Sequence, residues 1–311
     1  MKTILVTGGA GYIGSHVVKM LLENKYNVLT LDNLSTGFLS LVKGNLIIGD
    51  FGDIHLLEDI FKKHDIEVVM HFAASSIVKE SNENPLMYYK NNVSNTINML
   101  HTMMKCGVRN FIFSSSASVY GNTKNIPINE NNACNPNNVY GKTKLIIENV
   151  LKECKYIRSV SLRYFNAAGA DTNIGERHNP ETHIIPLLFK SKTFEIYGTD
   201  YDTPDGTAIR DYVHVNDIAN AHILALSALD KGYEIYNIGN NKGYSVKEII
   251  KKVKEKTKKD INIIESSRRE CDPEILVANS TKIRKELGWK PKQSDINTII
   301  DTAWKWYKRA I

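Results

Sequence analysis

The chain has 311 residues, with 40 Lys+Arg against 34 Asp+Glu for a formal charge of +6, and 42% of its residues are hydrophobic. This balance is ordinary for a folded globular chain and excludes a disordered or fibrous one. The densest basic stretch, Lys247 to Lys259, is interleaved with apolar residues and acids, which reads as a solvated helix face rather than a nucleic-acid footprint, so no nucleic-acid partner is expected. In chain order, Ile4-Leu5-Val6 predicts a first strand and Ile13 to Asn24 a first helix. Val28 to Leu31 and Leu46 to Ile48 follow as strands, with a helix at Leu56 to Lys63 and a strand at Val68 to Phe72. A longer helix spans Tyr88 to Cys106, then come a strand at Phe111 to Phe113, a helix at Tyr140 to Lys155 and a strand at Val160 to Tyr164. Strands that are near-continuous apolar runs are buried on both faces, as a parallel sheet covered by helices requires. The alternation predicts a doubly wound parallel α/β sheet of Rossmann type.

After Phe165 the rhythm changes, through a segment from Asn166 to Thr207 rich in Gly, Asn, Asp and Pro. It holds one helical stretch, Ile184 to Lys190, and one short strand, Glu195 to Tyr197. A regular pattern resumes at Val213, with a helix from Asn216 to Lys231 and a strand at Ile235 to Ile238. Ser245 and Glu248 form a capping box, and two further helices follow, one ending at Gly288 and one beginning at Asp295. The expected division is a dinucleotide-binding domain over 1–166, with returning segments near 207–239, and a smaller, partly interleaved α/β domain over 167–206 and 240–311. No run of about 18 apolar residues occurs, so neither a membrane span nor a membrane partner is expected. The apolar run near Met1 is far too short for a secretory signal. Cys106, Cys134, Cys154 and Cys271 lack the paired spacing of a zinc or redox motif, so a reducing, cytoplasmic setting and no metal site are expected.

Thr7-Gly8-Gly9-Ala10-Gly11-Tyr12-Ile13-Gly14 joins the first strand to the first helix. Glycines there let backbone N–H groups approach a pyrophosphate at the helix N-terminus, where the dipole favours negative charge. A glycine-rich turn alone is weak, but its place between first strand and first helix points to a dinucleotide. Asp32 ends the second strand 18 residues beyond Gly14, where a carboxylate can accept the adenosine ribose hydroxyls and repel a 2′-phosphate. No Lys or Arg occurs from Asn33 to Leu41, which favours NAD over NADP. Gly49-Asp50-Phe51 closes the third strand and places Asp50 either near the adenine or in a plain β-turn.

Tyr140 and Lys144 are four apart at a helix start and share one face. A tyrosine titrates near 10, so a phenolate base at neutrality needs about 4 kcal/mol of help, for which an ammonium and a positive nicotinamide are the available sources. Ser116, past the Phe111-Phe113 strand, adds a hydroxyl at the strand end that faces the ligand crevice in such sheets. Tyr-x-x-x-Lys pairs also arise by chance on helices; the upstream serines and the glycine turn favour the catalytic reading here.

In these residues the sequence resembles the extended short-chain dehydrogenase/reductase superfamily, and within it the UDP-glucose (UDP-galactose) 4-epimerases. The resemblance rests on Gly9 to His16, Leu31-Asp32-Asn33-Leu34, His71-Phe72-Ala73-Ala74 and Phe113 to Gly121. It continues through Leu162 to Asn166, Asp205-Gly206-Thr207, Arg210 to Val215, and Arg268-Arg269-Glu270 with Asp272. It implies transient oxidation at C4 of a UDP-hexose, with Tyr140 as base, Ser116 on the reacting oxygen and Lys144 tuning Tyr140 and holding the nicotinamide ribose. Phe72, Asn91 and Phe165 match positions lining NAD, and the same family loops bring Tyr12, Ile13, Asn33, Phe51, Ala73 and Ala74 to the cofactor. Asn166, Arg210 and Arg269 match diphosphate contacts, Tyr197 a uracil stack, Asp272 a uridine ribose contact and Leu276 the residue limiting the sugar pocket.

Three positions depart from the family or its rivals. Some members carry lysine where Ser76 stands, which removes one expected cofactor contact. Sugar dehydratases carry an Asp-Glu pair where this chain has Ala117 and Ser118, so elimination is not expected. Epimerases of UDP-N-acetylglucosamine or UDP-glucuronate share the same C4 chemistry and stay open, as does, from another class, a non-catalytic NAD-binding sensor. The resemblance further implies a homodimer through the helices at Tyr88–Cys106 and Tyr140–Lys155.

Overall fold

The computed structural model describes residues 2–269 and 272–310. Glu270, part of the Arg268-Arg269-Glu270 motif, and Cys271 lie outside the described residues, as do Met1 and Ile311. The first half begins β1 (Thr3–Thr7), α1 (Tyr12–Glu23), β2 (Asn27–Asp32), β3 (Asn45–Ile48), α2 (Ile54–Lys63) and β4 (Ile66–His71). Helices α3 (Val78–Glu83), α4 (Pro85–Tyr88) and α5 (Asn95–Lys105) lead to β5 (Asn110–Ser116), α6 (Val139–Glu153) and β6 (Arg158–Tyr164). The expected single helix from Tyr88 to Cys106 is interrupted, because a π-helical segment, Tyr89–Ser94, joins α4 to α5. Such an extra residue in a helical turn re-aims its side chains, and here it brings the neighbouring asparagines Asn91 and Asn92 both to Ser75.

The second half runs β7 (Asn166–Ala168), α7 (Ile184–Lys190), β8 (Thr193–Tyr197), β9 (Ile209–His214), α8 (Val215–Ala225) and β10 (Tyr233–Ile238). It ends with β11 (Gly243–Ser245), α9 (Val246–Thr257), β12 (Asn262–Ser266), β13 (Ile275–Leu276), α10 (Thr281–Leu287) and α11 (Ile296–Ala310). The helix expected to reach Lys231 stops at Ala225 and tightens into a 3-10 turn over Leu226–Lys231. The capping box of α9 is formed in both directions, Glu248 N donating to Ser245 Oγ and Ser245 N to Glu248 Oε2. α2 is capped by Asp53, whose carboxylate accepts from His55 N and Leu56 N.

Seven strands among the described residues form one parallel sheet in the order β10-β6-β5-β4-β1-β2-β3. Every residue of β1 is buried, because β1 sits between β2 and β4, Val6 pairing with Thr30 on one side and Met70 on the other. One face carries Val17, Leu21, Ile218 and Ala225 from α1 and α8. The other carries Leu57, Met99, Met103 and Ile147 from α2, α5 and α6. This is the doubly wound α/β fold, and the order reverses beside β1, where such sheets open a crevice at their C-terminal edge. A separate apolar core collects Ile185, Leu188, Ile249, Val253, Ile299 and Ile300 from α7, α9 and α11. Against it lies a small sheet in which β7, β11 and β13 all pair with β9.

Candidate active site

A cleft of about 630 Å³ opens at the C-terminal edge of β1, β4 and β5. The turn after β1 forms its floor. Gly8 has φ +74, and a Cβ there would lie 2.5 Å from Ala73 N, so only glycine lets the strand ends of β1 and β4 converge. A Cβ on Gly14 would meet Gly8 O at 2.2 Å, so this glycine lets α1 begin tightly against the turn. Gly11, just before α1, gives the helix no side-chain cap, which leaves its first N–H groups as donors for an anion in the cleft. Asp32, 8% exposed, is held by Ala10 N at 2.9 Å and Leu34 N at 2.8 Å. Each oxygen accepts one backbone donor and keeps a lone pair for a further one. These donors and acceptors fit the diphosphate and ribose of a dinucleotide.

Tyr12, Ile13, Asn33, Phe51, Phe72, Ala73, Ala74, Asn91 and Phe165 all line this cleft. Asp50 lies outside its wall: its carboxylate accepts from Asn33 Nδ2 at 2.9 Å and Gly52 N at 2.7 Å, so it shapes the loop and orients Asn33. Ser76 also lines the cleft. Arg177 was given no place by sequence reasoning, yet its guanidinium lies 4.5 Å from the Phe38 ring and donates to Ser40 at 3.3 Å. The loop from Asn33 to Leu41 therefore has a cationic neighbour that tertiary folding supplies.

At the other end of the cleft stand Ser116, Tyr140 and Lys144. Asn138 caps α6 by accepting from Gly141 N at 2.8 Å, while Tyr140 N donates to Ser81 Oγ at 3.1 Å. A Cβ on Gly141 would lie 2.5 Å from Ser118 O, so this glycine lets the helix start press against the turn that follows Ser116. Burial pushes the Tyr140 phenol up to about 12, with the nearby Ser116 hydroxyl opposing that rise, while Ser116 Oγ accepts from Ser118 N at 3.1 Å. Lys144 is 3% exposed, donates to Ser114 O at 2.8 Å and lies 5.7 Å from the Tyr140 ring centroid. Burial lowers its ammonium to about 7, so the cation expected to acidify Tyr140 is itself poised to lose its proton near neutrality. Thr143, on the same helix, receives a hydrogen bond from Asn92 Nδ2 at 3.2 Å, which ties α6 to the π-helical segment.

A buried polar network braces α6 from below. Glu148 and Arg163, with side chains 1% and 3% exposed, pair at 2.5 Å. Ser115 Oγ donates to Glu148 at 2.5 Å, and Arg163 donates to Tyr120 OH at 2.8 Å. Tyr120 in turn donates to Asn237 Oδ1 at 2.7 Å. The chain of bonds links β5, α6, β6 and β10. Nothing local in the sequence signals it, because its members are scattered along the chain.

Of the residues expected to contact a nucleotide sugar, Asn166 and Leu276 line the cleft. Arg210 pairs with Leu276 across β9 and β13, and Asn166 pairs with Tyr212 across β7 and β9, so one small sheet carries all three residues. Tyr197, Arg210, Arg269 and Asp272 stand beyond the cleft lining. The Arg269 guanidinium lies 3.8 Å from the Tyr197 ring centroid, and Arg210 donates to Asp272.

The chain matches the model of the NAD dependent epimerase/dehydratase family over residues 4–239. It is 46% identical over 319 residues to the UDP-glucose 4-epimerase of Lactobacillus helveticus, covering 98% of this chain and 97% of that protein. The crystal structure of the Brucella ovis UDP-glucose 4-epimerase in complex with NAD superposes with a TM-score of 0.93 at 42% identity, covering 97% of each chain. The Bifidobacterium longum enzyme in complex with NAD+ and UDP superposes with a TM-score of 0.92 at 35% identity, covering 99% of this chain and 98% of that one. With the glycine turn, Asp32 and the Ser116–Tyr140–Lys144 group sharing one cleft, these likenesses leave no doubt of kinship: the chain belongs to the NAD dependent epimerase/dehydratase family.

Proposed function

We propose that the chain interconverts UDP-glucose and UDP-galactose by inverting C4 of the hexose. The observation that carries this reading is the meeting of Ser116, Tyr140 and Lys144 in the same cleft as the glycine turn. A bound nicotinamide dinucleotide supplies the acceptor and later the donor of the C4 hydride. Gly8, Gly11 and Gly14, with the N–H groups of Tyr12 and Ile13, hold its diphosphate, and Asp32 and Asn33 its adenosine ribose. Phe51, Phe72, Ala73, Ala74, Asn91 and Phe165 complete the walls of its site, and Asp50 acts there through Asn33.

Tyr140 takes the proton of the 4-hydroxyl as hydride leaves C4, and gives it back to the same oxygen once the 4-keto sugar has turned and hydride returns to the other face of C4. Ser116 holds that oxygen by a hydrogen bond. From about 12, an ionised Tyr140 at neutrality calls for about 7 kcal/mol of differential stabilisation. The charge of Lys144 contributes part of it, because the positive ammonium is worth most when the phenol is negative. Asn166, Arg210 and Arg269 grip the sugar-nucleotide diphosphate, Tyr197 stacks on the base and Asp272 reaches the ribose. The hexose is held loosely enough to turn, with Leu276 at its wall. Ala117 and Ser118 offer no acid–base pair for elimination.

We assign the dinucleotide to residues 1–166 and the segments near 207–239, and the sugar nucleotide to 167–206 and 240–311. The distinct apolar core of α7, α9 and α11 supports that division. We also assign a homodimer, supported by Ile97 and Met104, each 40% exposed and seven residues apart on α5, and a cytoplasmic setting, supported by the unpaired spacing of the cysteines. Among the described residues no helix is long and apolar enough to cross a membrane.

Purified protein given UDP-galactose without added cofactor should form UDP-glucose. Tyr140→Phe should lose at least about 100-fold in turnover while keeping its bound dinucleotide, read by absorbance after denaturation. Near-normal turnover of that variant, or no interconversion by the wild type, overturns the reading. UDP-N-acetylglucosamine and UDP-glucuronate run alongside measure how far Leu276 limits the substrate.

A further inference from the structure

Glu176-Arg177-His178-Asn179-Pro180-Glu181-Thr182-His183 folds back on itself between β7 and α7, so that two imidazoles and two carboxylates face one another. His178 Nδ1 lies 2.9 Å from Glu176 Oε1 and 4.0 Å from Glu181 Oε1. His183 Nδ1 touches Glu176 Oε1 and lies 3.7 Å from Glu181 Oε1. One ligand atom from each of the four falls within 4.8 Å of every other. Ligand atoms of a tetrahedral zinc, with bonds of about 2.0–2.1 Å, stand roughly 3.3 Å apart, a spacing the measured separations straddle.

A second, independent feature points the same way. The Glu181 side chain is 4% exposed, and its Oε1 is fixed by Thr182 N and His183 N, both at 2.9 Å. Its Oε2 is buried and meets no hydrogen-bond donor among the described residues. A buried carboxylate oxygen without a donor is costly, and it calls for a cation or a proton. The loop is also anchored where it would need to be for a fixed site. Trp306 Nε1 donates to Glu176 O at 3.1 Å, and the Tyr12 ring packs edge-on against His178 at 6.0 Å.

We propose that Glu176, His178, Glu181 and His183 bind one zinc ion that cross-links the two halves of this loop, whose His178 and His183 line the cleft. Two imidazoles with two carboxylates suit zinc better than magnesium or calcium, which take oxygen ligands alone. Four protein ligands make the site closed and structural. The Glu-x-His-x-x-Glu-x-His spacing is not one of the usual zinc signatures, and it works here because Asn179-Pro180 turns the chain between the two halves.

Its test uses the full-length chain freed of any histidine tag. After loading with zinc chloride and desalting, the wild type should retain about one zinc per chain by mass spectrometry, and a chelator should remove it and lower the thermal midpoint. X-ray absorption at the zinc edge should report nitrogen and oxygen neighbours at about 2.0–2.1 Å. His183→Asn and Glu181→Gln should each weaken zinc binding by at least about 100-fold and abolish the zinc-dependent thermal shift. A wild type that keeps no zinc and shows no shift overturns the proposal, whatever the variants do. Equal zinc retention by either folded variant overturns it as well.

Discussion

Tyr140 and Lys144 are both held in surroundings that oppose their charged forms. For Lys144, burial lowers the ammonium from its ordinary 10.5 to about 7. Between those values the unfolded chain carries a proton that the folded chain has released, so folding stability rises with pH across that window and is flat below it. Lys144→Met removes the group and should remove that rise, leaving its stability less dependent on pH between about 7 and 10. Urea titrations at the two ends of the window check this, and parallel wild-type and variant curves would sink it. The same burial explains why Tyr140 depends on its neighbours. With a phenol at about 12, Ser116 alone is too weak, and the charged partners must be in place before the proton moves.

Elements place these side chains through close backbone approach. Gly141 stands where α6 meets the turn after Ser116, with Ser118 O 2.5 Å from its would-be Cβ. Gly141→Ala should push the helix start away and lower turnover by about 10-fold or more while costing about 1–3 kcal/mol of stability. Steady-state kinetics beside thermal unfolding checks both halves, and an unchanged kcat would mean the approach is not needed. Deeper in the same helix, the Glu148–Arg163 pair is buried on both sides. Arg163→Met leaves Glu148 uncompensated and should destabilise the fold by about 3–5 kcal/mol, measured by urea unfolding. Arg163→Met with Glu148→Met should recover much of that loss, since the cost lies in the orphaned charge. The π-helical segment before α5 belongs to this scale too, because one extra residue in a turn is invisible to apolar periodicity yet decides where Asn91 and Asn92 point.

At the scale of the whole molecule, the cleft joins the edge of the large parallel sheet to the small sheet around β9. Tyr12 OH donates to Gly169 O at 2.6 Å, and Lys19 pairs with Asp171 at 2.6 Å, so α1 is tied directly to the segment that follows β7. On the proposed function, the Arg269–Tyr197 stack and the Arg210–Asp272 pair would exchange these mutual contacts for contacts to the sugar nucleotide. Arg269→Ala should weaken UDP binding by about 10- to 100-fold, as expected for a charge-assisted contact, while leaving the bound dinucleotide in place. Calorimetry with UDP checks it, and unaltered affinity would remove Arg269 from the diphosphate site.

The parallel α/β alternation, the glycine turn at Gly8–Gly14, Asp32 at the end of β2 and the Tyr140–Lys144 spacing were legible in the sequence, because each rests on local periodicity or on residues within one or two turns of each other. Strands β7, β11 and β13 were not, since two or three residues form a strand only when a distant partner, here β9, supplies the hydrogen bonds. Arg177 beside Phe38, the network from Ser115 through Glu148 and Arg163 to Asn237, and the Arg269–Tyr197 stack all join residues far apart along the chain. Local chemistry determined what this protein's side chains can do, whereas chain folding decided which of them meet, because burial and contact are properties of three-dimensional neighbours.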